Sequence, residues 1–175
     1  MRMPLPIRAA LLAAILAPAA PALADHPFAP EGCEFAASLP ARGLQGAPQP
    51  GRDGPPRLTA RYPGYTIEAV CFPVPECGLD RLTDAERRRT LFEMAPGMGQ
   101  LRDTVTRTDR TALGPVGVYE GTVPNTSPWR TIRLRLYWGT CSRLALLFDG
   151  DPAPGGNAWR AAVDSVMRRD GAPAR

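Results

Sequence analysis

The clearest pattern in the chain lies between Trp129 and Gly150, where apolar and polar side chains alternate and then give way to a nearly continuous apolar run. Ile132, Leu134, Leu136 and Trp138 alternate with Thr131, Arg133, Arg135 and Tyr137. That period of two is a strand with one buried and one wet face. Gly139 to Ser142 supply turn chemistry, and Arg143 to Phe148 form a second, almost wholly apolar strand bounded by Asp149-Gly150. The two make an antiparallel hairpin whose second strand needs cover on both faces or a central place in a sheet.

Weaker signals complete the order of elements. Cys33 to Leu39 reads as a first strand ended by Pro40, and the glycine- and proline-rich stretch 41–56 as a mobile loop. Leu58–Tyr62 and Thr66–Phe72 form a hairpin around Pro63-Gly64. Thr83-Asp84-Ala85-Glu86 is a capping box opening a helix over about Asp84 to Ala95, with Ala85, Leu91, Phe92 and Ala95 expected inward. Thr104–Leu113 and Val116–Val123 are strands separated by Gly114-Pro115. After a loop over Asp151 to Gly156, with Asn157 as cap, Trp159, Val163, Val166 and Met167 give the apolar stripe of a closing helix. Antiparallel strands with isolated helices make an α+β fold: one mostly antiparallel sheet of about six to seven strands with two packed helices.

The beginning of the chain changes the picture of where this domain works. Arg2 and Arg8, the apolar run Ala9 to Ala17, and Ala22-Leu23-Ala24 have the form of a secretory signal peptide over residues 1–24, with the mature chain starting at Asp25. Residues 25–31 are expected as a loose lead, 32–170 as a single domain, and 171–175 as a flexible tail. The expected location is the periplasm or the extracellular space, with no membrane span, since the apolar run of the leader is far shorter than the roughly 20 residues a bilayer requires.

Charge excludes one class of partner. Once Arg2 and Arg8 leave, 19 of the 21 basic residues face 17 acidic ones, a formal +2 with His26 neutral, and every basic residue is arginine. There is no clustered basic face with interleaved aromatics, so nucleic acid is not an expected partner. The triplet Arg87-Arg88-Arg89 spans most of a helical turn and reads as solvated surface.

Four cysteines, Cys33, Cys71, Cys77 and Cys141, imply two disulfides in an oxidising compartment. Three connectivities are open. The expected one joins Cys71 to Cys77 and Cys33 to Cys141, a turn staple and a long-range staple.

No catalytic constellation emerges. His26 is the only histidine and reads as an exposed tail residue, so a histidine-built zinc site and a serine–histidine triad at Ser38, Ser127, Ser142 or Ser165 lose their main component. No cofactor or metal is expected. The expected role is that of a non-enzymatic, disulfide-stapled accessory or binding domain for an envelope protein or a small anionic ligand. Its candidate contact surface is the face of Thr131, Arg133, Arg135 and Tyr137 with Trp129 at the edge, guanidinium forks being suited to anions. Two enzymatic alternatives remain: a hydrolase or lyase built on Glu68, Glu120 or Asp149, and a thiol oxidoreductase built on Cys71 and Cys77.

The glycine-rich pair of strands around Leu113 to Glu120, the charged strand Arg130 to Trp138, the Gly-x-Cys-x-Arg-Leu turn into an apolar strand (Gly139 to Phe148), and the final Trp-x3-Val-x2-Val helix together resemble the PsbP/DcrB-like family of exported small α/β/α sandwich domains. The resemblance covers most of the mature chain, with the four cysteines outside its pattern. It implies a scaffold shared by accessory and binding proteins and carries no chemistry of its own.

Overall fold

The computed structural model describes residues 25–47, 49–51, 53–94 and 100–169. The expected signal peptide, the 171–175 tail and Ala95 lie outside them. The elements are β1 (His26–Phe28), β2 (Phe35–Leu39), β3 (Gln49–Pro50), β4 (Arg57–Tyr62), β5 (Tyr65–Pro73), α1 (Asp84–Met94), β6 (Arg102–Thr111), β7 (Gly114–Val123), β8 (Arg130–Trp138), β9 (Ser142–Gly150), α2 (Pro152–Asp164) and β10 (Met167–Arg168). Seven strands form an antiparallel sheet in the order β3-β4-β5-β9-β8-β7-β6, and β1-β2-β10 form a small second sheet. The fold is α+β.

The β8–β9 hairpin occupies the middle of the large sheet, and β9 is its central strand. Leu144, Leu146 and Phe148 point to one face, packed with β2 and α2. Ala145 and Leu147 point to the other, toward α1. The continuous apolar run of β9 thus has a partner layer on each side, as its composition requires. The helices are placed diagonally: α2 lies against β5, β9, β8 and β2, and α1 against β6 and β7.

Helix α1 opens on the capping box. Thr83 N–H donates to Glu86 Oε2 at 2.7 Å and Glu86 N–H to Thr83 Oγ1 at 3.3 Å. The Thr83 N–H and the Thr83 hydroxyl, which also donates to Glu86 Oε2 at 2.7 Å, hold the Glu86 carboxyl below the usual carboxylate range. The inward side differs from the expected one. Arg87 and Leu91 are buried, whereas Ala85 is exposed and Phe92 is 55% exposed. The phase is set by the first arginine of the triplet, which donates to Asp80 O at 2.9 Å and pairs with Asp84, so Arg87 is not solvated surface.

Helix α2 begins earlier than expected. Asp151, not Asn157, is the cap, accepting Ala153 N–H at 2.8 Å. Pro152 then sits in the first turn, where its missing N–H costs nothing. Gly155 is buried there because a Cβ on it would stand 2.4 Å from the Phe148 ring. The helix ends at Asp164, so Met167 leaves the stripe and is 60% exposed in β10.

Three further segments depart from expectation. His26–Phe28, read as part of a loose lead, pair with β2 and bury Phe28, leaving His26 half-buried. Gln49–Pro50 of the long loop add a short edge strand to β4. The β6–β7 turn falls at Ala112-Leu113, since Gly114 already pairs with Thr111.

The disulfides join Cys33 to Cys71 and Cys77 to Cys141. This corrects the expected pairing. Cys71 faces the core beneath β2, where Cys33 lies, so the two meet across layers. β5 pairs with β9 so that Pro73 is opposite Ser142. The chain leaving β5 therefore runs beside the β8–β9 turn, with Val74 N–H donating to Cys141 O at 2.8 Å and Leu79 N–H to Thr140 O at 3.0 Å. Cys77 is delivered to Cys141 by that pairing.

Candidate binding cleft

The charged side of β8 is only partly wet. Register places Arg133 opposite Glu120 and Phe148, and Arg135 opposite Val118 and Leu146. Thr131 and Tyr137 are buried, at 6% and 4% exposure, Tyr137 lying beneath Phe35 of β2. Burial pushes the Tyr137 phenol up to about 12, with Arg135 lowering it and Asp164 raising it. These two residues therefore present no contact surface. Arg133 and Arg135 are half-buried in a cleft of about 530 Å³ beside α2, with Glu120, Arg160 and Asp164.

Both arginines are already engaged. Arg133 Nε donates to Glu120 Oε1 at 2.9 Å and its guanidinium lies over Phe148, 5.6 Å from the centroid. Arg135 approaches Asp109 at 3.7 Å, and Asp109 also accepts from Arg107. Partly exposed pairs of this kind contribute at most about 1 kcal/mol each. Their larger effect is to offset much of the positive charge of the face, which weakens its attraction for an anion.

The other sequence-level candidates are dispersed. Glu68 and Asp149 lie on one face of the large sheet and Glu120 on the other, since Glu68 is opposite Leu147 while Glu120 is opposite Arg133. Each is held by its own arginine: Arg57 for Glu68, Arg133 for Glu120, Arg130 for Asp149. Cys71 and Cys77 belong to different disulfides, so the proposed thiol pair does not exist as a unit. Among the described residues there is no group of three or more metal-ligating side chains.

Trp129 has the opposite character. It is 71% exposed, the most exposed large apolar side chain among the described residues. It stands between a cleft of about 520 Å³ and a smaller one of about 310 Å³. The larger cleft lies at the end of the sheet, between the β4–β5 turn, the β7–β8 loop and the end of β9. Tyr65, Arg61, Gln45, Arg130, Asp149 and Asp151 contribute to its walls.

That end is organised by local bonds. Thr126 Oγ1 accepts Arg130 N–H at 3.0 Å and donates to Val123 O at 3.1 Å, closing the loop that carries Trp129. Arg130 forms a bidentate pair with Asp149, both of its bonds at 2.5 Å, and the pair raises the Arg130 pKa. Tyr65 is stacked between Tyr62 and Phe148, at 4.6 and 5.5 Å between centroids. Tyr62 donates to Pro40 O at 2.6 Å, and burial keeps its phenol well above the usual range.

Sequence reasoning found Trp129 and missed the rest of this cleft. Asp149 was legible as a strand end and as one of three candidate carboxylates but not as part of this cleft, and Thr126 only as part of a turn. The Arg130–Asp149 pair spans 19 residues and needs the hairpin register to be seen.

No family model and no curated protein matches the sequence. Among solved structures, a crystal structure from Bacteroides thetaiotaomicron VPI-5482 is similar at 10% identity and TM-score 0.52, over 85% of this chain and 50% of that one. This chain thus spans half the length of that protein. The solution structure of cyanobacterial PsbP (CyanoP) from Synechocystis sp. PCC 6803 is similar at 10% identity and TM-score 0.51, over 83% of this chain and 92% of that one. Likeness at this identity is likeness of fold, and the fold of this chain is PsbP-like.

Proposed function

We propose that this protein is an exported, disulfide-stapled accessory domain that binds its ligand without transforming it, through the end of the sheet where Trp129 stands. The observation that carries the reading is the exposure of that indole between two clefts on a loop closed by Thr126. Exposing a large aromatic to water is unfavourable, and an aromatic at the mouth of a cleft is a common anchor in binding sites. The two disulfides support an oxidising compartment, periplasmic or extracellular. No helix among the described residues is long and apolar enough to cross a membrane.

The absence of enzymatic activity belongs to this reading, supported by the separate arginine partners of Glu68, Glu120 and Asp149. A small anion in the cleft beside α2 is the lesser alternative, because Glu120 and Asp109 offset the charge of Arg133 and Arg135.

The test is native mass spectrometry of the protein exported by its own leader and purified under non-denaturing conditions from its source. The reading expects a chain starting at Asp25, two disulfides, and a retained ligand that is lost in Trp129→Ala and kept in Arg133→Ala/Arg135→Ala. A ligand lost only in the arginine variant moves the site to the α2 cleft. A chain that keeps residues 1–24 and stays inside the cell ends the export reading.

A further inference from the structure

We infer that the cleft beside Trp129 takes a neutral oligosaccharide, an inference that rests on the binding reading above and narrows it to one chemical class. A pyranose ring presents two kinds of surface at once: an apolar face of C–H bonds and an equatorial girdle of hydroxyls that each donate and accept. Trp129 supplies what the first needs. Its indole is 71% exposed, and the electron-rich face of an aromatic ring attracts polarised C–H bonds.

Arg130 and Asp149 supply what the second needs. Their two mutual bonds lock guanidinium and carboxylate into one plane at the cleft wall. A guanidinium has five N–H donors and a carboxylate about four lone-pair sites, so this pair keeps roughly three donors and two acceptor sites for a ligand. The side chains are 50% and 32% exposed, so those sites are reachable. Donor and acceptor side by side in a fixed plane match two adjacent hydroxyls of a sugar. Gln45 adds a neutral amide that can both donate and accept, and Thr126, whose O–H is committed to Val123 O, keeps one acceptor site.

Charge selects among ligands. The charged side chains of the cleft are Arg61, Arg130, Asp149 and Asp151, which cancel, so the site has no net attraction for an anion or a cation. A proline-rich peptide needs several parallel aromatic ridges. Here Tyr62 is 3% exposed and Tyr65 is stacked between Tyr62 and Phe148, which leaves Trp129 as the one prominent platform among the residues lining the cleft. The second cleft, on the far side of Trp129, gives a linear chain a path past the indole, and so favours an oligosaccharide over a single sugar.

Tryptophan fluorescence makes the test direct. Trp138 and Trp159 are buried at 2% and 7% exposure, so collisional quenching by acrylamide reports on Trp129. The folded mature chain is titrated with cellotetraose, tetra-N-acetylchitotetraose, tetragalacturonate and a deca-proline peptide. The inference expects saturable protection of Trp129 by at least one of the two neutral tetrasaccharides, with little change between low and high salt. Trp129→Ala weakens that affinity at least about tenfold, read by calorimetry. Asp149→Asn, at an unchanged melting temperature, also weakens it. The inference is overturned by no binding of either neutral tetrasaccharide up to about 10 mM, by binding that Trp129→Ala leaves intact, or by salt-sensitive binding of tetragalacturonate alone. Deca-proline binding that depends on Trp129 overturns the saccharide and leaves the binding domain standing. A ligand retained in native mass spectrometry but not a sugar does the same.

Discussion

The carboxylate of Glu34 accepts the backbone N–H of Ser142 at 2.8 Å, and the Ser142 hydroxyl accepts the backbone N–H of Glu34 at 2.8 Å, across 108 residues of chain. Glu34 also accepts Cys141 N–H at 2.6 Å and lies 3.4 Å from Arg168 Nη2. The pair ties β2 to the β8–β9 turn, and both residues are buried. Removing the carboxylate leaves the buried Ser142 N–H and the part-buried Cys141 N–H without acceptors, each costing up to about 1–3 kcal/mol. Glu34→Ala is expected to lower unfolding free energy by about 3 kcal/mol in urea titration, and Glu34→Gln by less. A midpoint equal to the parent's would show that the turn holds itself.

Reduction has a defined signature. Cys71 and Cys77 share one tryptic peptide, ending at Arg81, so non-reducing digestion should yield a single species of three linked peptides. Further cleavage at Glu76 should part it into a Cys33–Cys71 pair and a Cys77–Cys141 pair. Two linked peptides plus one internally bridged would contradict the layer-to-layer pairing. Chain-entropy estimates put each bond at about 4 kcal/mol for these loop lengths, so replacing either pair by serine should lower the melting temperature by about 8–16 degrees.

Close approach limits two glycines. A Cβ on Gly117 would meet the Trp138 ring at 2.5 Å and Leu91 at 3.1 Å, beneath α1. Gly155 is confined in the same way by Phe148. Gly117→Val and Gly155→Val each force an overpacked core and should cost about 1–3 kcal/mol, measured by thermal unfolding. An unchanged melting temperature for both would mean that the helices pack less tightly than their geometry implies.

Thr126→Val tests the loop without touching the core. It removes the acceptor for Arg130 N–H and the donor to Val123 O. Amide exchange at Arg130 should quicken several-fold while the melting temperature moves by only a few degrees, and cleft ligands should bind more weakly. Exchange as slow as in the parent would indicate that the Arg130–Asp149 pair suffices to hold Trp129.

Alkali should unfold the domain before it titrates the buried tyrosines. The Tyr137 phenol is raised by burial to about 12, and burial raises Tyr119 as well. The unfolded chain loses these protons near pH 10. The folded state holds them more tightly, so its stability is intact below pH 10 and falls as pH rises from 10 toward 12. Tyrosinate absorbance should therefore rise together with loss of secondary structure, and Tyr137→Phe should reduce that dependence. Full titration of every tyrosine in a still-folded chain would contradict the burial.

Periodicity carried the fold. The alternation in β8 and the unbroken apolar run of β9 place the central hairpin, and the Thr83–Glu86 box starts α1 at the right residue. Errors came where a side chain's role is set by distant layers. Arg87 was read as solvated because sequence does not show that Asp80 O and Asp84 wait beside it. Pro152 and two glycines masked the start of α2, although proline suits a first turn and Gly155 serves the approach to Phe148. The disulfides followed the pairing of β5 with β9 and the packing of β2 over the sheet, which no spacing reveals. For the same reason the arginines of β8 looked like an open stripe, while Glu120 and Asp109, from two other strands, already met them.

The pairing of β5 with β9 separates the molecule into two poles. Tyr65 is opposite Gly150 at one end of this strand pair and Pro73 is opposite Ser142 at the other, about 27 Å away at the rise of a strand. Both covalent links and Glu34 gather at the second pole, and Trp129 with its cleft at the first. The rim of the cleft can therefore drift in sequence and accept insertions while folding remains secured elsewhere. Ligand choice in such a domain is free to diversify on a scaffold that stays fixed, which makes the Thr126–Arg130 loop the natural place to graft a new specificity.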